Sequence, residues 1–281
     1  LMPMMVTNMA AGFVGLKYGF MGPNLCTTSA CAGGTHAIEE AYRSIQRGEA
    51  DVFVAGGAEM TTLPYAFSGF CKVRAMTTNN DDPEHACKPF DKNRDGFVIG
   101  EGAGLLIVEE LERAKRRGAK IYAEIVGAGR SLDAYHMLAP HPEGKGAALA
   151  MNAALKDAGI SPDKIDYINS HGTATPLGDS AETKGIKTVF GDHAYKLTIN
   201  ATKSMIGHLI GGAGGAEGVV TALSVQDNLI HPTINFDTPD PECDLDYSFN
   251  KVTERTINYA LSDSLGFGGH NAVLIFKKFE G

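Results

Sequence analysis

An α/β fold of two related halves is what this sequence predicts, on three observations. Short apolar runs alternate with segments whose apolar residues recur at helical spacing. A Gly-rich turn leads twice into such a run. The composition, 43% hydrophobic and 21% charged over 281 residues, belongs to a chain that can bury a sizeable core, with room for two units of roughly 150 residues each.

Residues 24 to 29 read as extended. Ala37, Ile38, Ala41 and Ile45 fall at helical spacing, and Val52, Phe53 and Val54 form a short apolar run between Asp51 and Gly56, so a strand, helix, strand unit is expected. Strands follow near Leu105 to Val108 and at Ile121 to Val126. Ala147, Met151, Leu155 and Ala158 mark a helix, after which Ile165 to Ile168 and Leu197 to Ala201 read as strands. Ala216, Val219, Val220 and Leu223 mark a further helix, and Ala272 to Phe276 a last strand. Apolar strands separated by helices imply a sheet covered on both faces. The 34 glycines suit tight turns and close helix contacts, and the run Gly211 to Gly215 reads as helix packing, because no Lys-Ser/Thr pair follows it as a phosphate loop requires.

The repeat refines this reading. Gly100-Glu101-Gly102-Ala103-Gly104 runs into Leu105 to Val108, as Gly266-Phe267-Gly268-Gly269 leads through His270-Asn271 into Ala272 to Phe276. Each is read as the closing turn and strand of one half, which divides the chain into 1–118 and 119–281. The first copy is then short of its opening strand and helix, and with Leu1 as the first residue an incomplete start is expected.

Charge and cysteine usage exclude several function classes. With 25 Lys+Arg against 33 Asp+Glu, the net charge of -8 argues against a broad phosphate-neutralising surface, so no nucleic-acid partner is expected. No apolar stretch approaches the roughly 20 residues of a membrane span. The five cysteines, Cys26, Cys31, Cys71, Cys87 and Cys243, are odd in number and never spaced C-x-x-C, which disfavours a disulfide framework or a thiolate zinc site and points to the reducing cytoplasm.

Three segments carry chemistry. Thr27-Thr28-Ser29-Ala30-Cys31-Ala32-Gly33-Gly34 sets a thiol between a predicted strand and a predicted helix, where helix N–H groups and dipole favour a thiolate nucleophile and could hold an oxyanion. Asn169-Ser170-His171-Gly172-Thr173-Ala174-Thr175-Pro176-Leu177-Gly178-Asp179 places His171 just after an apolar strand. Thr202-Lys203-Ser204-Met205-Ile206-Gly207-His208 repeats that arrangement. One thiol and two histidines just beyond apolar strands match the rule that open α/β sheets gather ligands at their carboxyl ends.

These motifs, with G-F-G-G at 266 to 269 and K-P-F-D-K-N-R-D-G-F-V-I-G-E-G-A-G from Lys88 to Gly104, resemble the β-ketoacyl-acyl-carrier-protein synthases of the elongating, synthase II kind, nearly end to end. The resemblance implies a thiolase-like fold, two duplicated halves in an α-β-α-β-α layering with the first half incomplete. It implies decarboxylative Claisen condensation of malonyl-carrier protein with an acyl group held on Cys31 in fatty acid elongation. Cys31, His171, Lys203 and His208 would be catalytic, with the backbone N–H groups of Cys31 and Phe267 as oxyanion hole. Phe267 would also act as gate, with Leu265 where phenylalanine is common, and Glu217 as counterweight to Lys203. Thr173, Thr175, Gly268 and Gly269 would bind substrate, the two hydroxyls meeting the pantetheine arm. Asn169, Glu217, Ser262 and Asn271 fall where some relatives hold a monovalent cation. No cofactor beyond the 4'-phosphopantetheine of the acyl carrier protein is implied. A homodimer is, with residues 23 to 28 pairing against their twin, and Lys72 and Arg74 are candidate carrier contacts in a Gly-flanked loop. Rival readings are a polyketide ketosynthase, a non-catalytic partner subunit, which generally lacks the nucleophile, and an inactive truncated scaffold.

Overall fold

The computed structural model describes residues 6–281, with helix α1 (Met9–Tyr18) first among its elements. Among them, strands β1 (Val52–Glu59) and β2 (Gly102–Glu109) pair antiparallel as a two-stranded sheet, Val52 opposite Glu109 and Glu59 opposite Gly102. A second sheet holds five strands in the order β3 (Glu124–Leu132), β9 (His270–Lys277), β8 (Tyr259–Gly266), β4 (Tyr167–Asn169) and β5 (Thr198–Asn200). β4 runs parallel to β8 and β5, and β9 antiparallel to both of its neighbours. A short pair, β6 (Leu229–Ile230) with β7 (Thr253–Glu254), completes the strands.

Alternation along the strands explains the layers. Ile168, Leu261, Val273 and Ile275 point into one core with Met151 and Leu155 of helix α5 (Lys145–Ala158) and Ile186 of α6 (Pro176–Phe190). Their neighbours Tyr167, Ala260, Leu274 and Phe276 point into another core with Ile38 of α2 (Gly33–Gln46) and Ala222 and Val225 of α8 (Ala213–Asp227). α2 and α8 are thus sandwiched, because Ala55 of β1 and Leu106 of β2 close that core from the other side. Glycines permit the approach: a Cβ on Gly104 would lie 2.1 Å from Ala216 N, and one on Gly34 2.6 Å from Gly215 N. Helix packing is therefore the role of the Gly211 to Gly215 run.

Four of the five expected layers are present among the described residues. The outward face of β1/β2 has no cover there, leaving Leu105 52% and Ile107 63% exposed. The strand expected at 24 to 29 does not form: those residues are mostly exposed and, among the described residues, no strand lies alongside to share hydrogen bonds and only a single Ser29–Cys31 bridge is made. The strand expected at Ile121 to Val126 instead begins at Glu124 and continues to Leu132, because Gly127 and Gly129, which dilute its apolar signal, let α5 pack close. Lys72 and Arg74 end helix α3 (Pro64–Val73), Arg74 being its left-handed cap, so the expected loop is a helix terminus. The boundary between 118 and 119 falls in the connection from α4 (Leu111–Arg116) to β3.

Candidate active site

Because β4, β5 and β8 run parallel, their carboxyl ends open on one edge of the sheet. His171 follows β4 by two residues, Lys203 opens the short helix α7 (Lys203–Ile206) after β5, and Phe267 follows β8 directly. Cys31, two residues ahead of α2, reaches the same edge through a sharp turn in which Ala30 takes a φ of +48°. The side chains gather about one buried point, the Cys31, His171 and His208 ligand atoms all lying within 4.8 Å of one another.

His208 Nε2 lies 3.1 Å from Cys31 Sγ, while the backbone N–H of Ile210 donates to its Nδ1 at 3.3 Å. Lys203 Nζ donates to His171 Nδ1 at 3.3 Å and also holds Glu217 Oε1 in a fully buried ion pair. With each Nδ1 engaged as acceptor, the proton of each neutral imidazole sits on Nε2. Burial, then the Lys203 ammonium, hold both histidines well below the usual imidazole range, and His208 adds a further lowering of His171. The rings stand edge to face at 5.4 Å, and Phe97 presents its edge to His208 at 5.2 Å.

The thiol behaves otherwise than the helix terminus suggests. Burial pushes Cys31 up to about 11, against the smaller lowering effects of Lys203 and of the Phe267 and Cys31 backbone N–H groups. Taking the thiolate out of water outweighs the helix dipole here, so the resting group is the thiol. The same two N–H groups face the sulfur, where an oxyanion beside it would lie.

One cavity opens on this point, lined by Cys31, His171, His208, Thr173, Thr175 and Phe267 among others. Thr173 Oγ1 and Thr175 Oγ1 lie 3.0 Å apart on its wall. Gly269 and Leu265 also line it, but Gly268 does not: it is exposed, and its N–H is taken by Met137 O at 2.8 Å. Phe267 stacks on Phe70, which meets Phe97 edge-on.

Asn271 parts from the other expected cation ligands. Its amide donates to Asp133 Oδ1 at 2.9 Å, Gly269 O at 3.1 Å and Ser131 Oγ at 3.2 Å, on the β3/β9 side of the sheet. Asn169 and Ser262 pair across β4/β8, with Asn169 reaching Glu217 O at 3.5 Å. Glu217 Oε2 is buried with no partner, as are both carboxylate oxygens of Asp263. Orphaned buried oxygens are what a hard cation would satisfy, so Asn169, Ser262 and Glu217 fit such a group and Asn271 does not.

Several residues that position the site were given no role by the sequence, Asp179 among them although it closes a segment singled out there. Glu182 on α6 accepts the N–H groups of His171 and Gly172 at 2.7 and 2.9 Å, and Asp179, one turn earlier, accepts that of Thr173 at 3.1 Å. Leu138, Ala139 and Pro140 form part of the cavity rim. Acidic residues in a helix and apolar residues in a loop look ordinary until the fold brings them here.

Comparison with known proteins agrees with this geometry. The family described as "Beta-ketoacyl synthase, N-terminal domain" matches residues 1–114, and "Beta-ketoacyl synthase, C-terminal domain" matches residues 122–237. The chain is 51% identical over 280 residues to 3-oxoacyl-[acyl-carrier-protein] synthase 2 of Synechocystis sp., covering 100% of this chain and 67% of that protein. It is 54% identical over 278 residues to the Staphylococcus aureus protein of the same name, covering 99% and 67%. Among solved structures, a ketosynthase in complex with its type II PKS acyl-carrier protein superposes with a TM-score of 0.96 at 39% identity, covering 97% of this chain and 67% of that one. A β-ketoacyl synthase from Burkholderia phymatum gives 0.92 at 39%, covering 97% and 66%. The chain thus spans about two thirds of the length of its relatives.

Proposed function

Because the chain belongs to the β-ketoacyl synthase family, we propose that it is an acyltransferase that condenses malonyl-carrier protein with an acyl thioester in fatty acid elongation. The observation that carries this is the placement of one thiol beside two buried histidines, His208 Nε2 lying 3.1 Å from the sulfur and the ligand atoms of all three residues within 4.8 Å of one another. The Cys31 sulfur attacks the acyl thioester of the carrier's pantetheine arm, the Cys31 and Phe267 N–H groups take the charge on the carbonyl oxygen, and the pantetheine thiol leaves with the proton. Malonyl thioester then enters and loses carbon dioxide. Its enolate oxygen lies between the His171 and His208 donors, and its carbon attacks the Cys31 thioester, releasing the sulfur, which takes up a proton from solvent to return to the thiol, and forming the 3-oxoacyl product. Lys203, balanced by Glu217, keeps the His171 proton on Nε2. Thr173 and Thr175 offer hydroxyls to the pantetheine arm. A monovalent cation held by Asn169, Ser262 and Glu217 would neutralise buried carboxylate charge. No other cofactor is called for.

Incubation with malonyl-carrier protein and acyl-carrier proteins of graded length tests the proposal. The expected product is a 3-oxoacyl thioester two carbons longer than the primer. Release of carbon dioxide without condensation for every primer would contradict it. Polyketide ketosynthase is the second reading, supported by the 39% identical ketosynthase neighbour, and the 51–54% identity to the 3-oxoacyl-[acyl-carrier-protein] synthase 2 relatives favours the first. Repeated extension of one primer without intervening reduction would favour the second.

Work in the cytoplasm as a homodimer completes the proposal. All five cysteines are free, and among the described residues no helix is long and apolar enough to cross a membrane. Residues 23 to 28 belong to no helix or strand and, among the described residues, have no strand alongside, which suits pairing with a twin. Lys72 and Arg74 are exposed at the end of the helix whose Phe70 stacks on Phe267, so an acidic carrier docked there would sit beside the cavity gate. Arg74→Glu should raise KM for carrier-bound substrate several-fold and flatten its salt dependence, with a free pantetheine thioester unaffected. Equal loss with both substrates would place Arg74 in the site or the fold instead.

A further inference from the structure

Arg94, from the Lys88 to Gly104 motif, takes no part in the chemistry above, yet its side chain is 3% exposed. Its Nε donates to Thr175 O at 3.3 Å, and its Nη2 to Pro176 O at 2.9 Å. Its Nη1 donates to Asp91 O at 2.8 Å and to the Asp240 carboxylate, and the guanidinium lies 3.6 Å from Asp179 Oδ2. One planar fork thus ties three segments together: its own turn, the 237–240 loop and the start of α6.

The second of these is anchored independently. Asp91 Oδ2 accepts the Asp237 and Thr238 N–H groups at 2.7 and 2.6 Å, and Lys92 N–H donates to Thr238 O at 2.9 Å. Arg94 therefore stands on a fixed base and holds what lies on its other side, the stretch from Thr173 to Pro176. In that stretch Ala174 sits at φ +63°, with its carbonyl held by Gly96 N–H at 2.9 Å. A left-handed alanine between two threonines turns both hydroxyls to the cavity wall, and such a conformation persists only where its surroundings impose it.

Accepting that the two hydroxyls meet the pantetheine arm, we propose that Arg94 is a positioning residue that sets the Thr173–Thr175 hydroxyl pair for that arm, touching neither substrate nor reacting atoms. The two carbonyl contacts use the directions of Nε–H and Nη2–H together, which a lysine ammonium on a single flexible stem does not reproduce. Charge opposite Asp179 and Asp240 survives in Arg94→Lys, while the geometry toward Thr175 and Pro176 is lost.

The test is steady-state condensation with a small pantetheine thioester, together with the rate of iodoacetamide alkylation of Cys31. Arg94→Lys should raise KM about tenfold, with kcat and the alkylation rate within about twofold of wild type. A residue that merely supports the fold would lower kcat and change alkylation in step with KM, and that result, or an unchanged KM, overturns the proposal. Should Arg94→Lys not fold, Asp240→Ala, which removes the carboxylate that accepts from the guanidinium, decides the matter: a smaller KM increase of the same kind supports positioning, and no KM change overturns it. Thr175→Val separates the underlying reading. An unchanged KM there means that the hydroxyl does not meet the arm, whereas a raised KM in Thr175→Val beside an unchanged one in Arg94→Lys rejects the role of Arg94 alone.

Discussion

Replacing Cys31 with alanine should abolish the covalent acyl-enzyme and lower condensation by more than about 10³-fold, some 4 kcal/mol of transition-state stabilisation at 1.36 kcal/mol per decade. No other thiol is placed to substitute. Cys87 Sγ donates to Lys203 O at 3.1 Å, and neither it nor Cys243 lines the cavity. The fold should survive, since the change removes one buried atom from a turn whose backbone bonds, such as Ala32 N–H to Ser29 O at 3.1 Å, are untouched. Decarboxylation of malonyl thioester should persist, because the two Nε2–H donors do not depend on the sulfur. Labelling with an acyl donor checks the first part, and carbon dioxide release the second. Acyl-enzyme at wild-type level in the variant would move the nucleophile elsewhere. In the unmodified protein, the raised Cys31 value means that a neutral thiol loses its proton only as pH climbs toward about 11. Alkylation should therefore accelerate roughly tenfold per pH unit from 7 to 9, the thiolate being the reacting form. A plateau below pH 8 would show that Lys203 and the backbone N–H groups outweigh burial.

Local signals carried the fold class and the side chains that gather at the cavity, and failed where a residue's role depends on distant partners. Cys31, His171, Lys203 and His208 were legible because each follows a short segment that reads as a strand and stands among small residues, a pattern that lies within ten residues of chain, even though the segment before Cys31 forms no strand. The Lys203–Glu217 pair was legible through the family resemblance. By contrast, residues 24 to 29 have strand-like composition, but a strand needs a neighbour, and none is provided among the described residues. Asn271 stands next to a Gly-rich turn and looks available as a ligand. Only the register placing it opposite Ser131 and Leu265 shows that Asp133 occupies its amide. Glu182 and Arg94 were illegible for the same reason: each serves main-chain groups, and main-chain N–H and C=O groups look alike in every sequence. The thiol's acidity was misjudged because a helix start is visible in sequence whereas complete burial is not.

The histidines allow the sharpest division between the two half-reactions. If their Nε2–H groups hold the enolate oxygen, His171→Ala or His208→Ala should slow malonyl decarboxylation by about 10²-fold or more, the usual cost of one lost oxyanion donor. Acylation of Cys31 should fall much less, since its oxyanion is held by main-chain N–H groups that neither substitution removes. The His171 backbone itself stays fixed by Glu182, so truncating the ring need not move the turn. pH supplies a second readout. Both rings are held well below the ordinary imidazole range, first by burial and then by Lys203, so lowering pH charges them only far below 6.5. Across pH 6 to 8 each ring keeps one proton, on Nε2, and the decarboxylation rate should show no step near 6.5. Such a step, or equal losses in both half-reactions, would mean that the rings act as titrating acids or bases, with a different proton inventory at the enolate. A flat profile with a selective loss leaves two fixed, neutral donors as the source of the rate, a role that requires the Lys203 ammonium and the Ile210 N–H to stay where they are.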